Sequence, residues 1–124
     1  MENTTYLVHS EREEAIERLR AHLNVVAPGT PIFERKGDRR MPSAALALHV
    51  ELDHSAFTTI DVDRQDALRF LRGEAIQTQA SSEAPDPSPH LRLIRFERHA
   101  LGFVSKAGDR WNNQWPKPWR IRMR

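Results

Sequence analysis

Apolar residues near the N-terminus recur at three- and four-residue steps between charged residues, which is typical of an amphipathic helix. We predict this helix over residues 10–23. Its apolar face would consist of Ala15, Ile16, Leu19 and Leu23. Ser10 lies three residues before Glu13, the spacing of a capping box that satisfies the first amides of a helix. Glu14 and Arg18 are four residues apart, and an exposed ion pair at that spacing contributes about 0.3–0.5 kcal/mol.

A second helix is predicted after Asp63, because Asp is a favoured N-cap residue. The apolar positions of this helix are Ala67, Leu68 and Leu71. Gly73 follows them, at a place where a residue in the left-handed conformation commonly ends a helix. The small and apolar residues 43–48, which follow Pro42, predict a short and nearly buried helix.

Short runs of apolar and β-branched residues predict several strands. One strand is expected within residues 57–62, and residues 91–97 are expected to form a hairpin with residues 101–105 by turning at residues 98–100. Residues 32–33 are a further strand candidate, followed by a charged loop over residues 35–40. The closing residues alternate between apolar and cationic side chains, so we predict a last strand. One face of this strand would carry Arg120, Arg122 and Arg124.

Two or three helices and five or more short strands predict an α+β domain whose sheet curls into a partial barrel. The 124 residues fit a single domain, 1–124. A chain of this length buries roughly two-thirds of its unfolded surface, enough for its own core. Residues 77–89 contain three prolines and two acidic residues with almost nothing to bury. We therefore predict a mobile loop there.

Charge is distributed unevenly along the chain. The net charge is only +2, but residues 90–124 contain nine Lys and Arg against two acidic residues, whereas residues 1–89 contain ten against fifteen. The last 24 residues also contain all three tryptophans and the adjacent pair Asn112 and Asn113. Cations interleaved with aromatic and amide side chains are suited to single-stranded or looped RNA, which we expect as the partner.

Each of these residues also has a purely structural interpretation. Asn112 and Asn113 could contact base edges or phosphates, but two adjacent Asn also suit a left-handed turn. Trp111 and Trp115 are candidates either for stacking on bases or for packing in a core, while the alternation around Trp119 favours packing. The candidate phosphate-binding cations, whose alternative is a solvated face, are Lys106, Arg110, Lys117, Arg120 and Arg122, with Lys36 and Arg39 of the charged loop as a second cluster.

The sequence offers little for catalysis or metal binding. There is no cysteine, so disulfides and thiolate metal sites are excluded. His49 and His54 are five residues apart and share no helix face, and no zinc-ligand motif is present. Ser43 and Ser105 lack the Gly-x-Ser-x-Gly elbow of a serine hydrolase. No apolar run is long enough for a membrane span and the first residues do not read as a secretion signal, so we expect a cytoplasmic protein without cofactor or metal.

The segment LGFVSKAGDRWNNQWPKPWRIR resembles the closing motif of bacterial Sun-type ribosomal RNA cytosine-5 methyltransferases. The positions that match this motif are Leu101, Gly102, Phe103, Gly108, Arg110, Asn112, Asn113, Pro116, Trp119, Arg120 and Ile121. Residues 41–47 and 67–74 are similar in order and content, so the resemblance extends over about residues 25–122. It implies a PUA-like RNA-binding module, a pseudo-barrel with two or three flanking helices, that holds structured RNA.

Two positions depart from the family motif. Ser105 stands where the family has a lysine, with Lys106 one place later, and a shift of one residue in a strand moves a side chain to the opposite face. Trp115 replaces a tyrosine, so the stacking surface is kept while the hydroxyl is lost.

The catalytic half of such an enzyme has no counterpart in these residues. Cytosine C5 methylation needs a cysteine thiolate and a Gly-rich loop for S-adenosylmethionine, and this sequence contains neither. We therefore expect a non-catalytic domain that positions ribosomal RNA for a methyltransferase catalytic domain, whether covalently linked or separate. The alternative is a protein-interaction module whose basic face docks on an acidic partner, with tryptophans and arginines as hot spots.

Overall fold

The structure, a computed structural model, describes residues 4–25, 27–76, 89–108 and 110–122, and leaves the side chain of Lys36 undescribed. The chain divides into two compact units, Met1–Leu46 and Ala47–Arg124. The mobile loop predicted over residues 77–89 lies outside the described residues, except for Pro89. The single-domain organisation over residues 1–124 stays a prediction.

The first unit contains a three-stranded antiparallel sheet and one helix. Its strands, in the spatial order β1-β2-β3, are β1 (Thr4–Leu7), β2 (Thr30–Lys36) and β3 (Arg39–Pro42). The prediction of a charged loop over residues 35–40 is wrong, because Arg35 pairs with Arg40 and Lys36 with Arg39 in a β2–β3 hairpin. Gly37, at φ +63°, lies in the turn between them and allows the tight reversal.

The predicted N-terminal helix is confirmed as α1 (Glu13–Arg20), preceded by a 3-10 turn over Ser10–Arg12. The predicted capping box is wrong: the turn begins at His9, whose Nδ1 accepts from the Glu11 amide at 3.4 Å. The ion pair between Glu14 and Arg18 is confirmed at 2.6 Å. No residue of α1 is buried, and Leu19 on its apolar face remains half exposed.

The second unit is built around a four-stranded mixed sheet. The elements of this part of the chain are α2 (Ala44–Ala47, across the boundary of the units), β4 (Thr59–Asp61), α3 (Arg64–Leu71), β5 (Leu91–Phe96), β6 (His99–Ala107) and β7 (Arg110–Asn113). The strand order is β4-β5-β6-β7, in which β4 and β5 are parallel and the other pairs antiparallel. The predicted α+β class is therefore confirmed, although no pairing that closes a barrel occurs among the described residues.

Helix α3 follows its sequence prediction closely. The Oδ1 atom of Asp63 accepts from the Asp66 amide at 2.8 Å as the N-cap, and Gly73 follows the helix at φ +81°. The most buried residue of the helix is Phe70, which is fully buried although the predicted apolar face omitted it. Its ring forms the centre of a core cluster with Ile76, Ile94 and Val104.

Both faces of the sheet in the second unit are covered. The face that packs on Phe70 of α3, which we call the helix face, carries Ile94 and Val104. On the opposite face, Leu93 and Phe103 are paired across β5 and β6 and are fully buried. The ring of Phe57 contacts Phe103 edge-on at 4.9 Å between centroids, so this face is also closed by aromatic packing.

The β5–β6 hairpin confirms the predicted pairing but shifts the turn. Glu97 and Arg98 occupy the two turn positions with φ of 48° and 68°, so the turn lies one residue earlier than predicted. Ile94 pairs with Gly102 while Arg95 pairs with Ala100, which leaves Leu101 as the extra residue of a β-bulge. A Cβ on Gly102 would lie 2.8 Å from the Phe70 ring, so only glycine allows the helix to pack this closely.

The last strand predicted over residues 119–123 is wrong. Residues Lys117–Trp119 form a 3-10 turn, and residues 120–122 have no regular structure. The amide of Ile121 donates to the Leu71 carbonyl of α3 at 3.0 Å instead of to a strand. Arg120 and Arg122 therefore lie on an irregular C-terminal segment, and Arg124 lies outside the described residues.

Candidate nucleic-acid interface

Strand β7 divides four candidate residues between the two faces of the sheet. Arg110 and Asn112 are exposed, whereas Trp111 and Asn113 are half-buried. Alternate residues of a strand point to opposite faces, so Trp111 and Asn113 lie on the helix face and the other two on the opposite face. Lys106 pairs with Trp111 across β6 and β7, and its side chain is exposed.

Asn113 connects the end of α3 to the sheet. Its Nδ2 atom donates to the carbonyl oxygens of Phe70 and Glu74, each at 2.9 Å. Its Oδ1 atom accepts from the Trp115 amide at 2.7 Å. The Phe70 carbonyl also accepts from the Gly73 amide at 2.9 Å, so this side chain adds a second bond there and fastens the end of α3 to β7. The left-handed turn considered for Asn112 and Asn113 is wrong, since both residues are in a strand.

Trp111 stacks against an arginine that the sequence did not single out. The guanidinium of Arg92 lies 4.6 Å from the centre of the Trp111 ring, and its Nη1 donates to the Leu91 carbonyl at 2.8 Å. Arg92 is buried, 6 % exposed. Its position in the strand run LRLIRF gave no signal of this role, because the contact joins β5 to β7 across the intervening strand. One face of Trp111 is therefore occupied by the protein itself.

Trp115 and Trp119 form an aromatic pair at the surface. Trp115 is half-buried, with its ring centre 5.9 Å from that of Phe70 and 5.4 Å from that of Trp119. Its Nε1 donates to the Trp119 carbonyl at 3.1 Å. Trp119 is 47 % exposed. The sequence-based preference for Trp119 as a packing residue is therefore wrong.

The described carboxylates do not neutralise the candidate cations of the second unit. Among the described residues, no carboxylate forms an ion pair with the side chains of Lys106, Arg110, Lys117, Arg120 and Arg122. By contrast, Arg95 makes a bidentate pair with Asp61, both contacts at 2.9 Å. Lys106 and Arg110 lie at the β6–β7 end of the sheet, and the others lie on the C-terminal segment.

Arg120 differs from the other cations because it packs inside the second unit. The residue is half-buried, and its Nε is buried without a hydrogen-bond partner in the described parts of the chain. A Cβ on Gly73 would lie 2.1 Å from this nitrogen, so the guanidinium lies directly over the end of α3. Arg120 therefore has a packing role, and phosphate contact is better supplied by the exposed cations.

The second predicted cluster belongs to the first unit. Arg39 is exposed on β3, while the side chain of Lys36 lies outside the described residues. Their neighbour Arg40 lies 4.9 Å over the Phe33 ring and donates to the Thr5 hydroxyl at 3.1 Å. The hairpin thus engages Arg40 in these contacts, and Arg35 through a bond from its Nε to the Gly37 carbonyl at 3.1 Å, whereas Arg39 faces solvent.

A separate open groove of about 500 Å³ lies between β1 and α1 in the first unit. It is lined by Thr4, Tyr6, Leu7, Val8, Glu13, Ile16, Glu17, Arg20 and Pro28. Its charged groups are two carboxylates and one guanidinium, a balance that does not favour a polyanion. Residues 4–25, 27–76, 89–108 and 110–122 hold no cluster of three metal-ligating side chains, and none of their helices is long and apolar enough to cross a bilayer.

A comparison with known protein families finds a match over most of the second unit. The model of the family described as Methyltransferase RsmF PUA domain matches residues 57–121. This range covers the whole four-stranded sheet, α3 and the C-terminal segment up to Ile121. A search of the curated proteins finds no match. The earlier part of the resemblance, from about residue 25 to residue 56, stays a prediction.

Proposed function

This chain belongs to the RsmF-type methyltransferase PUA-domain family, and from that premise we propose that it positions structured ribosomal RNA for a cytosine-5 methyltransferase. A PUA domain is a non-catalytic RNA-binding module. Its role beside a methyltransferase is therefore accessory: it holds the RNA, and a catalytic domain performs the methyl transfer. The proposal concerns which RNA is bound and which residues bind it.

The observation that supports this proposal is the set of exposed cations without carboxylate partners in the described residues. Lys106, Arg110, Lys117 and Arg122 are all exposed on the second unit. A surface cation that is not neutralised by a neighbouring acid remains available to attract an external anion. Phosphate contacts of this kind supply affinity and orientation, whereas they carry no sequence information themselves.

Asn112 adds a neutral hydrogen-bonding group on the face of the sheet that carries Arg110, opposite to the face that carries Lys106. It is exposed on the same face as Arg110, two residues away in β7, and its side chain has both donor and acceptor atoms. Its neighbour Asn113 is committed to its bonds with the end of α3. Asn112 is therefore the amide that we assign to RNA, and Asn113 is the amide that we remove from the predicted contact set.

The test is a fluorescence-anisotropy titration of the chain with ribosomal RNA fragments at several salt concentrations. If four cations contact single-stranded phosphates, a plot of the logarithm of the binding constant against the logarithm of the salt concentration should have a slope of about −3. Looped RNA should bind more tightly than duplex DNA. A slope near zero would contradict the proposal. Equal binding of every polyanion would favour the alternative, in which the basic face docks on an acidic protein.

Arg110→Ala tests a single phosphate contact. We expect this variant to weaken RNA binding about tenfold, because one lost contact of this type costs about 1–3 kcal/mol. Arg98→Ala is a matched control, since Arg98 is an exposed arginine at the other end of β6, about 27 Å away at the rise of an extended strand. An equal loss in both variants would show a non-specific effect of net charge instead of a localised site.

A further inference from the structure

We propose that Trp119 is a stacking platform for an unpaired nucleobase of the bound RNA. The inference rests on the proposed RNA-binding function and names the residue that contacts bases. The sequence left Trp111 and Trp115 open between stacking on bases and packing in a core, and it favoured packing for Trp119. The structure instead favours Trp119 for stacking, because Trp119 is the most exposed of the three tryptophans.

The other two rings already have aromatic or cationic partners within the protein. The Arg92 guanidinium covers Trp111 at 4.6 Å. Trp115 packs on Phe70 on one side and on Trp119 on another, and its Nε1 is engaged by a carbonyl. Both rings are half-buried and also pack against the core cluster around Phe70. Trp119 has an exposed fraction of 47 % and a single ring contact among the described residues.

Trp119 is held in position although it is exposed. Its amide donates to the Pro116 carbonyl at 3.0 Å, and its carbonyl accepts from Trp115 Nε1 at 3.1 Å. The following turn of chain is fixed to α3 through the bond from the Ile121 amide to the Leu71 carbonyl. An aromatic ring on a fixed backbone loses little conformational entropy on binding, so stacking on it is favourable.

The charges around Trp119 select a nucleic acid over an apolar protein surface. Lys117 and Arg122 lie two and three residues away and are exposed, and residues 110–122 contain no acidic side chain. Each base of an RNA strand is flanked by phosphates. An aromatic ring between two cations could therefore stack on a base while the cations contact the phosphates on either side of it. Base–aromatic stacking tolerates any base, and the expected selectivity is therefore for unpaired over paired nucleotides.

The experiment compares an RNA hairpin that has an unpaired purine loop with a loop-free duplex of the same stem. The full chain and its Trp119 variants are titrated with each RNA by fluorescence anisotropy. We expect Trp119→Ala and Trp119→Leu to weaken hairpin binding about tenfold and to leave duplex binding unchanged. Trp119→Tyr, which keeps an aromatic face, should retain binding within about twofold to threefold. Val50→Ala is the control for losing an exposed apolar side chain, because Val50 is 96 % exposed.

The outcomes separate this inference from the proposed function. If wild type binds the hairpin and Trp119→Ala binds it equally well, Trp119 is not the platform and RNA binding stands. If Trp119→Leu retains binding, the ring makes an ordinary apolar contact, such as one with a protein surface, and stacking is rejected. If wild type binds neither RNA, both proposals fail. Matching thermal unfolding of the variants confirms that the fold is intact.

Discussion

Asn112 and Asn113 show how adjacent identical residues acquire different roles. Both are in β7, and the alternation of the strand sends one amide to solvent and the other to the end of α3. The Asn113 side chain makes three hydrogen bonds, two of them to carbonyls at and just beyond the end of α3. A carboxylate could not replace it, because an ionised Asp has no donor.

Asn113→Ala should therefore lower the free energy of unfolding by about 2–3 kcal/mol, because it removes three hydrogen bonds that join β7 and its following residues to the end of α3. Asn112→Ala should change stability by less than about 0.5 kcal/mol while it weakens RNA binding. Thermal and urea unfolding, with parallel anisotropy titrations, measure both effects. Equal destabilisation by the two substitutions would contradict the assigned division of roles.

The β5–β6 hairpin shows how an element can form with turn residues that do not favour it. Glu97 and Arg98 both have positive φ, the backbone of a type I′ turn that Asn and Gly prefer. The turn persists because the flanking strands pair from Leu91 with Ser105 to Phe96 with His99, and bury Leu93, Ile94, Phe103 and Val104. Packing of the strands thus outweighs the local preference at the turn.

Replacing Glu97 with Asn and Arg98 with Gly should relieve this strain. A left-handed residue with a side chain costs about 1–2 kcal/mol, offset in part by the greater entropy of Gly in the unfolded chain. We expect the double variant to gain about 1 kcal/mol and a few degrees in Tm, measured by circular dichroism. Arg98→Val should do the opposite, since a β-branched residue resists positive φ. A double variant no more stable than wild type would show that the turn is unstrained.

At the scale of the whole molecule, the two units differ in how much apolar surface they bury. All the buried hydrophobic side chains of the described residues, from Ala47 to Val104, are in the second unit. The first unit leaves Leu7, Leu19 and Leu23 exposed. Since apolar burial is the main favourable term in folding, the second unit has the features of an independently stable body.

A fragment of residues 47–124 should therefore unfold cooperatively on heating and retain RNA binding, while residues 1–46 alone should show no cooperative transition. Circular dichroism measures the first property and anisotropy the second. The salt dependence of binding then tests whether the β2–β3 hairpin contacts RNA. For each phosphate contact that Arg39 or Lys36 makes in the full chain, the slope of log binding constant against log salt should be shallower by about 0.7 in the 47–124 fragment. An unfolded 47–124 fragment would overturn this division of stability.

The sequence by itself determined the elements whose signals are local. Helix α1, helix α3 with its Asp63 cap and Gly73 end, and the β5–β6 hairpin follow from periodicity and capping, which depend on neighbouring residues. The family followed from the motif in residues 101–122, and the excess of cations over residues 90–124 was visible as composition.

Only the tertiary structure decided what each side chain of that motif contacts. The alternation in residues 119–123 predicted a strand, but the Ile121 amide bonds to α3 instead of to a neighbouring strand. Arg120 packs over Gly73, Asn113 bonds to the end of α3, and Trp111 meets Arg92, all through contacts between residues more than fifteen positions apart. Such contacts depend on how elements pack, which no local period encodes, and they determine which rings and cations remain available to RNA.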